Sequence, residues 1–123
     1  MDRAEFEQIA EEAFESLPKT LQEKIENVRI VIEDEASEET LRRSGMRSGS
    51  LLLGLYEGVP LNKRGENYGR FPVVPDKITL FQRSILSVAW SESGIREKIR
   101  EVLIHEIAHY FGMTERQVRE AGY

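Results

Sequence analysis

Ile95, Ile99, Val102, Leu103, Ile107 and Phe111 recur at three- and four-residue steps, a single apolar stripe that commits this stretch to one long amphipathic helix. The helix starts near Ser93-Gly94, and Gly112 stops it where a left-handed residue caps a helix end. Thr114 and Gln117 then match a capping box, so a short closing helix follows to about Ala121. At the other end of the chain, Phe6, Ile9, Ala10, Ala13, Phe14 and Leu17 mark a second amphipathic helix, closed by Pro18. Thr20 to Glu26 adds at most a helical turn.

Three strands are expected between these helices. Val28 to Glu33 is β-branched and mostly apolar, Leu51 to Glu57 is closed by Gly58 and Pro60, and Ile78 to Arg83 alternates like a half-buried strand. The polar stretch Glu35 to Ser50, which holds Arg42, Arg43 and Arg47, reads as a mobile solvated loop, and Asn62 to Pro75 reads as another. Strands grouped between helices, with no repeat, linker or boundary, predict an α+β fold in one domain over 1–123. A length of 123 residues agrees with that.

Composition removes several function classes. The chain has no cysteine, which excludes disulfides and Cys-based zinc or nucleophile chemistry. Its net charge of -5, without a basic stripe, argues against nucleic acid as a partner. No stretch approaches the roughly 20 apolar residues of a membrane helix, and the acidic, amphipathic N-terminus reads as neither a signal nor a transit peptide. A cytoplasmic location is the expectation.

Both histidines of the protein fall in one pattern on the long helix, His105-Glu106-Ile107-Ala108-His109. Residues at i and i+4 share a helix face, so two imidazoles can reach one Zn²⁺. Glu106, offset around the helix, is placed to take a proton from water at the metal rather than to coordinate. A site of this kind needs a third protein ligand. Glu115, three residues beyond Gly112, has the right donor type if the glycine reverses the chain. A carboxylate in the first turn of the last helix is also favourable against the helix dipole, and spacing alone leaves both readings open.

The run from His105 to Glu115 resembles the zincin metallopeptidases with a glycine turn after the second histidine. More closely, the chain resembles a small bacterial family of minimal zincin-like proteins, through Gly54-Leu55-Tyr56-Glu57-Gly58-Val59-Pro60, Pro75-Asp76-Lys77-Ile78-Thr79-Leu80-Phe81 and the His-Glu helix end. Two departures stand out: Tyr110 replaces a second consecutive histidine, and Glu115 stands where the family commonly has Asp. The resemblance implies a small mixed sheet, an N-terminal helix, a metal-site helix and a short closing helix, with one Zn²⁺ per chain. It also implies that the strand before the metal helix is an exposed sheet edge, with Thr79, Leu80 and Phe81 binding an extended peptide substrate. Core packing of Ile78, Leu80 and Phe81 is the competing reading. Tyr56, Tyr68, Arg70, Arg83 and Tyr110 are candidates by residue type for stabilising an oxyanion, Tyr110 being the one expected to pack instead.

Two functions follow. One is a zinc-dependent metallopeptidase with Glu106 as general base, acting on a peptide or protein. The other is a metal-binding or partner-binding module with little hydrolysis, because a chain this short leaves little protein to wall the cleft, which a protein partner would then complete.

Overall fold

The computed structural model describes residues 1–70 and 75–123. Residues 71–74 of the expected second loop lie outside them. In chain order the elements are α1 (Arg3–Glu15), α2 (Lys19–Gln22), β1 (Val28–Glu33), α3 (Glu38–Arg43), β2 (Gly54–Glu57), a 3-10 turn (Leu61–Lys63), β3 (Asp76–Phe81), α4 (Gln82–Leu86), α5 (Glu92–Tyr110) and α6 (Glu115–Glu120). This is the expected α+β arrangement. Among the described residues, no helix is long and apolar enough to cross a membrane.

The sheet is small and mixed, in the order β1-β3-β2. β1 runs parallel to β3 with Val28 opposite Asp76, and β2 runs antiparallel to β3 with Gly54 opposite Leu80. β3 is therefore the central strand. Ile78 and Leu80 point into the main core, which α1 supplies with Phe6 and Ile9 and α5 with Ile99 and Leu103. Alternation along the strand sends Thr79 and Phe81 to the opposite face, where both are also buried.

This overturns one expectation. Thr79, Leu80 and Phe81 do not lie on an exposed edge: β1 and β2 occupy both sides of β3, and the three residues are 0–1% exposed. A strand hydrogen-bonded on both sides has no free N–H or C=O row to offer a peptide. The half-buried reading fails with it, because alternation is lost once a strand is covered on both faces.

Three boundaries also move. The expected loop from Glu35 contains α3, whose Ser37 hydroxyl accepts from the Thr40 N–H. Glu38 and Glu39 at its start and Arg42 and Arg43 at its end complement the helix dipole, and Leu41 anchors it at 2% exposure. The third strand ends at Phe81 instead of Arg83, and α4 takes over because Ile85, four residues on, is fully buried. The second strand begins at Gly54, although the Leu53 carbonyl still accepts from the Phe81 N–H at 3.0 Å.

Helix ends bring the distant residues together. Gly112 has φ +97°, with its N–H on the His109 carbonyl and the Met113 N–H on the Ala108 carbonyl. That pairing is a Schellman motif, available here because glycine enters the left-handed region without a Cβ clash. The reversal feeds directly into α6, which opens with both bonds of the expected Thr114–Gln117 capping box.

Candidate metal centre

α5 presents His105 and His109 one turn apart, their ring centroids 5.2 Å from each other. The Gly112 reversal brings α6 back beside them, so the Glu115 carboxylate meets both rings. His105 Nε2 lies 2.9 Å from Glu115 Oε1, and His109 Nε2 lies 2.9 Å from Glu115 Oε2. The donor atoms of the three residues all fall within 4.8 Å of one another.

The donor set suits a metal ion. Bonds of 2.0–2.1 Å at a tetrahedral ion place its ligand atoms roughly 3.3 Å apart, so the 2.9 Å contacts need to open by only a few tenths of an ångström. Both rings are also turned the right way. His105 Nδ1 lies 3.0 Å from the Tyr123 carbonyl oxygen and His109 Nδ1 lies 2.9 Å from that of Met113. A main-chain oxygen can only accept, so each Nδ1 carries a proton; the protonated ring then donates from Nε2 to Glu115, and the neutral ring turns its Nε2 lone pair there instead. Two imidazoles and a carboxylate lining one cleft are a donor set that fits zinc.

Charge on the cluster follows from these contacts. Burial raises the Glu115 pKa, but hydrogen bonds from His105 and His109 outweigh it and leave the carboxyl below its usual range. Burial lowers the His105 pKa, and the Tyr123 carbonyl and Glu115 together reverse that, so the net shift is upward. Glu106 differs in kind. It points to the sheet side, is 7% exposed, and its Oε1 accepts the Tyr56 N–H at 3.0 Å. Burial dominates there and raises its pKa against the pull of His105 and His109. It stands beside the three-donor cluster without being part of it.

Gly54 makes that placement possible. A Cβ on it would fall 2.5 Å from Val102 Cγ1 and 3.3 Å from Glu106 Cγ, so glycine is what lets α5 approach the strand. The cluster opens into a cleft of about 800 Å³, walled by residues 54–57 on one side and by Arg43, Met46 and Lys63 on others.

The residues considered for an oxyanion are not brought to this cleft in usable form. Tyr56 lines it, but its hydroxyl donates to Asp76 Oδ2 at 2.5 Å, and burial followed by that bond pushes its pKa far above the usual tyrosine range. Tyr68 accepts from Asn27 and lies under Arg64, and Tyr110 is fully buried with its hydroxyl on the backbone near Glu26. Arg83 faces Asp34 and Glu35, and exposed Arg70 is not among the cleft residues. Several contributing groups escape a reading of the sequence because they are main-chain atoms: the Tyr56 N–H and the Met113 and Tyr123 carbonyls. Glycine inside a strand, at Gly54, and after a helix, at Gly122, is the readable signal.

Comparison with known proteins bears on the fold and the family. A search of curated proteins returns no match. The chain is similar to the solved structure of a conserved hypothetical protein from Thermo thermophilus, with 21% identity and a TM-score of 0.57 over 89% of this chain and 92% of that one, a likeness of fold. The family profile described as zincin-like metallopeptidase matches residues 25–123, a span that includes the sheet, both helices of the candidate metal cluster, its three donor residues and Glu106. The chain belongs to the zincin-like metallopeptidase family.

Proposed function

We propose that this protein is a zinc-dependent metallopeptidase that cleaves peptide bonds. The observation that carries the reading is the convergence of His105, His109 and Glu115 beside a buried, raised-pKa Glu106 at the floor of one cleft. Zinc held there would act as a Lewis acid on a carbonyl and make water acidic enough to deprotonate near neutral pH. His105 and His109 offer Nε2, and Glu115 supplies the charge that offsets part of the cation. Glu106 is the general base: its raised pKa suits a group that takes a proton from water and returns it to the leaving amine. The Tyr56 N–H holds one of its oxygens and leaves the other to work.

The peptide would lie along β2 instead of β3. Leu53 is hydrogen-bonded to Phe81, so alternation in the antiparallel pair turns Gly54 and Tyr56 outward, toward the cleft. The Tyr56 N–H is already held by Glu106, so the Gly54 amide unit and the Tyr56 carbonyl are the main-chain groups available for strand addition.

A second reading, a metal-binding module with little hydrolysis, is favoured by one observation: the hydroxyls of Tyr56, Tyr68 and Tyr110 are committed elsewhere. Metal titration and Glu106→Gln separate the two. We expect one zinc per chain, lost when both histidines become alanine, and unchanged zinc affinity in Glu106→Gln with peptidase activity down by about 10²–10⁴-fold. Absence of stoichiometric zinc overturns both readings. A zinc-loaded wild type that cleaves no member of a diverse peptide library overturns the peptidase alone.

A further inference from the structure

We propose that the turn at Gly122–Tyr123 is a positioning element for the candidate metal centre: the Tyr123 main-chain oxygen sets the orientation and tautomer of His105. The inference rests on the metal reading above, and on a feature that nothing in the family's signature residues includes.

α6 ends as α5 does. Gly122 has φ +89°, its N–H donates to the Arg119 carbonyl at 3.0 Å, and the Tyr123 N–H donates to the Val118 carbonyl at 3.0 Å. These two bonds make a second Schellman motif, anchored by Val118 at 0% exposure. The residue just past each glycine then turns its carbonyl onto a histidine: Met113 onto His109, Tyr123 onto His105. The two rings that would share a metal are thus held by the same device, once at each end of α6. Glu115, on the first turn of that helix, lies between them. One short helix therefore supplies the third donor and, through its two flanking turns, the orientation of the other two.

Without such a contact a neutral histidine side chain favours the proton on Nε2, the nitrogen needed for the metal. The Tyr123 main-chain oxygen inverts that preference at His105, because only an Nδ1–H can satisfy it. The Tyr123 side chain is 62% exposed and takes no part.

Gly122 also makes the test clean. Nothing lies within 4 Å of a Cβ built on it, whereas one on Gly112 would overlap the Asn62 side chain. Substitution at Gly122 therefore acts through backbone conformation alone. A β-branched residue resists positive φ, while Asn tolerates it. Gly45, at φ +75° after α3 with the same two bonds and an equally open Cβ, is the matched control.

The experiment combines long-range ¹H–¹⁵N NMR of the imidazoles in metal-free protein, above the histidine titration, with zinc competition against a chelator. We expect His105 in wild type, Tyr123→Ala, Gly122→Asn and Gly45→Val to carry its proton on Nδ1. Gly122→Val should move it to Nε2 and weaken zinc binding by about 10–100-fold, as loss of a group orienting a ligand does. A wild-type His105 protonated on Nε2 overturns the proposal whether or not any variant folds. So does a folded Gly122→Val with wild-type tautomer and zinc affinity within two-fold, or a Tyr123→Ala that loses as much as Gly122→Val. Wild type that binds no zinc but shows the Nδ1 proton, lost in Gly122→Val, supports the turn and overturns the metal reading alone.

Discussion

Two polar clusters sit on either side of β2, and Tyr56 belongs to both. Its N–H donates to Glu106 beside the candidate metal centre, and its hydroxyl donates to Asp76 in a buried knot. In that knot the Arg64 and Asp76 side chains are 5% and 2% exposed and 2.8 Å apart. Asp76 also accepts from the Val59 N–H, and Arg64 donates to the Val59 and Glu26 carbonyls while lying over the Tyr68 and Tyr110 rings. Gly58 is glycine because a Cβ there would overlap the Asp76 carboxyl. In the candidate metal centre, His105, His109 and Glu115 keep 22–48% of their side-chain surface exposed, and the atoms that face one another are all able to ligate a metal.

The contrast separates structure from chemistry. Charges that are buried and fully partnered hold elements together and have nothing left to offer a ligand. Charges that converge with unshared lone pairs on an open cleft are arranged for something that arrives later. Tyr56, Gly58 and Asp76 come from the shared segments that accompany the His-Glu pattern. They serve the knot, which fixes the strand that in turn fixes Glu106.

The largest effect should come from breaking the knot. Asp76→Ala leaves Arg64 buried without its counter-charge and Tyr56 without an acceptor, and should cost about 3–5 kcal/mol of stability, the usual consequence of orphaning a buried charge. Denaturant unfolding would measure it. A loss below about 1 kcal/mol, the level of an exposed pair, would mean that the knot is solvated and that the comparison fails.

Metal removal should have a smaller effect. A ligand bound only by the folded state at 100 times its Kd adds about 2.7 kcal/mol, so excess chelator should lower the melting temperature of zinc-loaded protein by several degrees without unfolding it at 25 °C. An unchanged melting temperature would remove the metal centre from the comparison.

The smallest effect is a gain. The folded-state pKa of Glu106 is raised, so the folded protein binds the proton more tightly than the unfolded chain does. Stability therefore falls as pH rises from about 4.5 through that raised value, and stays lower above it. In metal-free protein, Glu106→Gln should remove this fall while keeping an acceptor for the Tyr56 N–H. By calorimetry we expect the variant to match wild type near pH 4 and to exceed it in melting temperature at pH 8. A variant less stable than wild type at pH 8 would show that the carboxylate is favourably partnered in the fold, as Asp76 is.

How far the site can be read ahead of the structure differs from residue to residue. His105, Glu106 and His109 need only helical periodicity, and the Gly112 stop and the Thr114–Gln117 cap need only their own side chains and neighbours. α3 escapes notice because its signal is six residues long and carries one apolar anchor, Leu41, too little for a periodic pattern. β3 reads as half-buried because two-face burial and half-burial differ only in what covers the second face, and the edge position implied by the resemblance depends on strand order, which no local pattern carries.

The amino-acid sequence by itself determined the metal-site helix, its two histidines on one face, its glycine stop and the capped helix after it. Each depends on contacts between residues at most five apart. Tertiary structure decided the strand order, the edge position of β2, the approach of Glu115 to both rings, and the holding of His105 by a main-chain oxygen 18 residues away. Those outcomes rest on closures between distant segments, where packing of the whole core selects among partners that local sequence leaves equivalent.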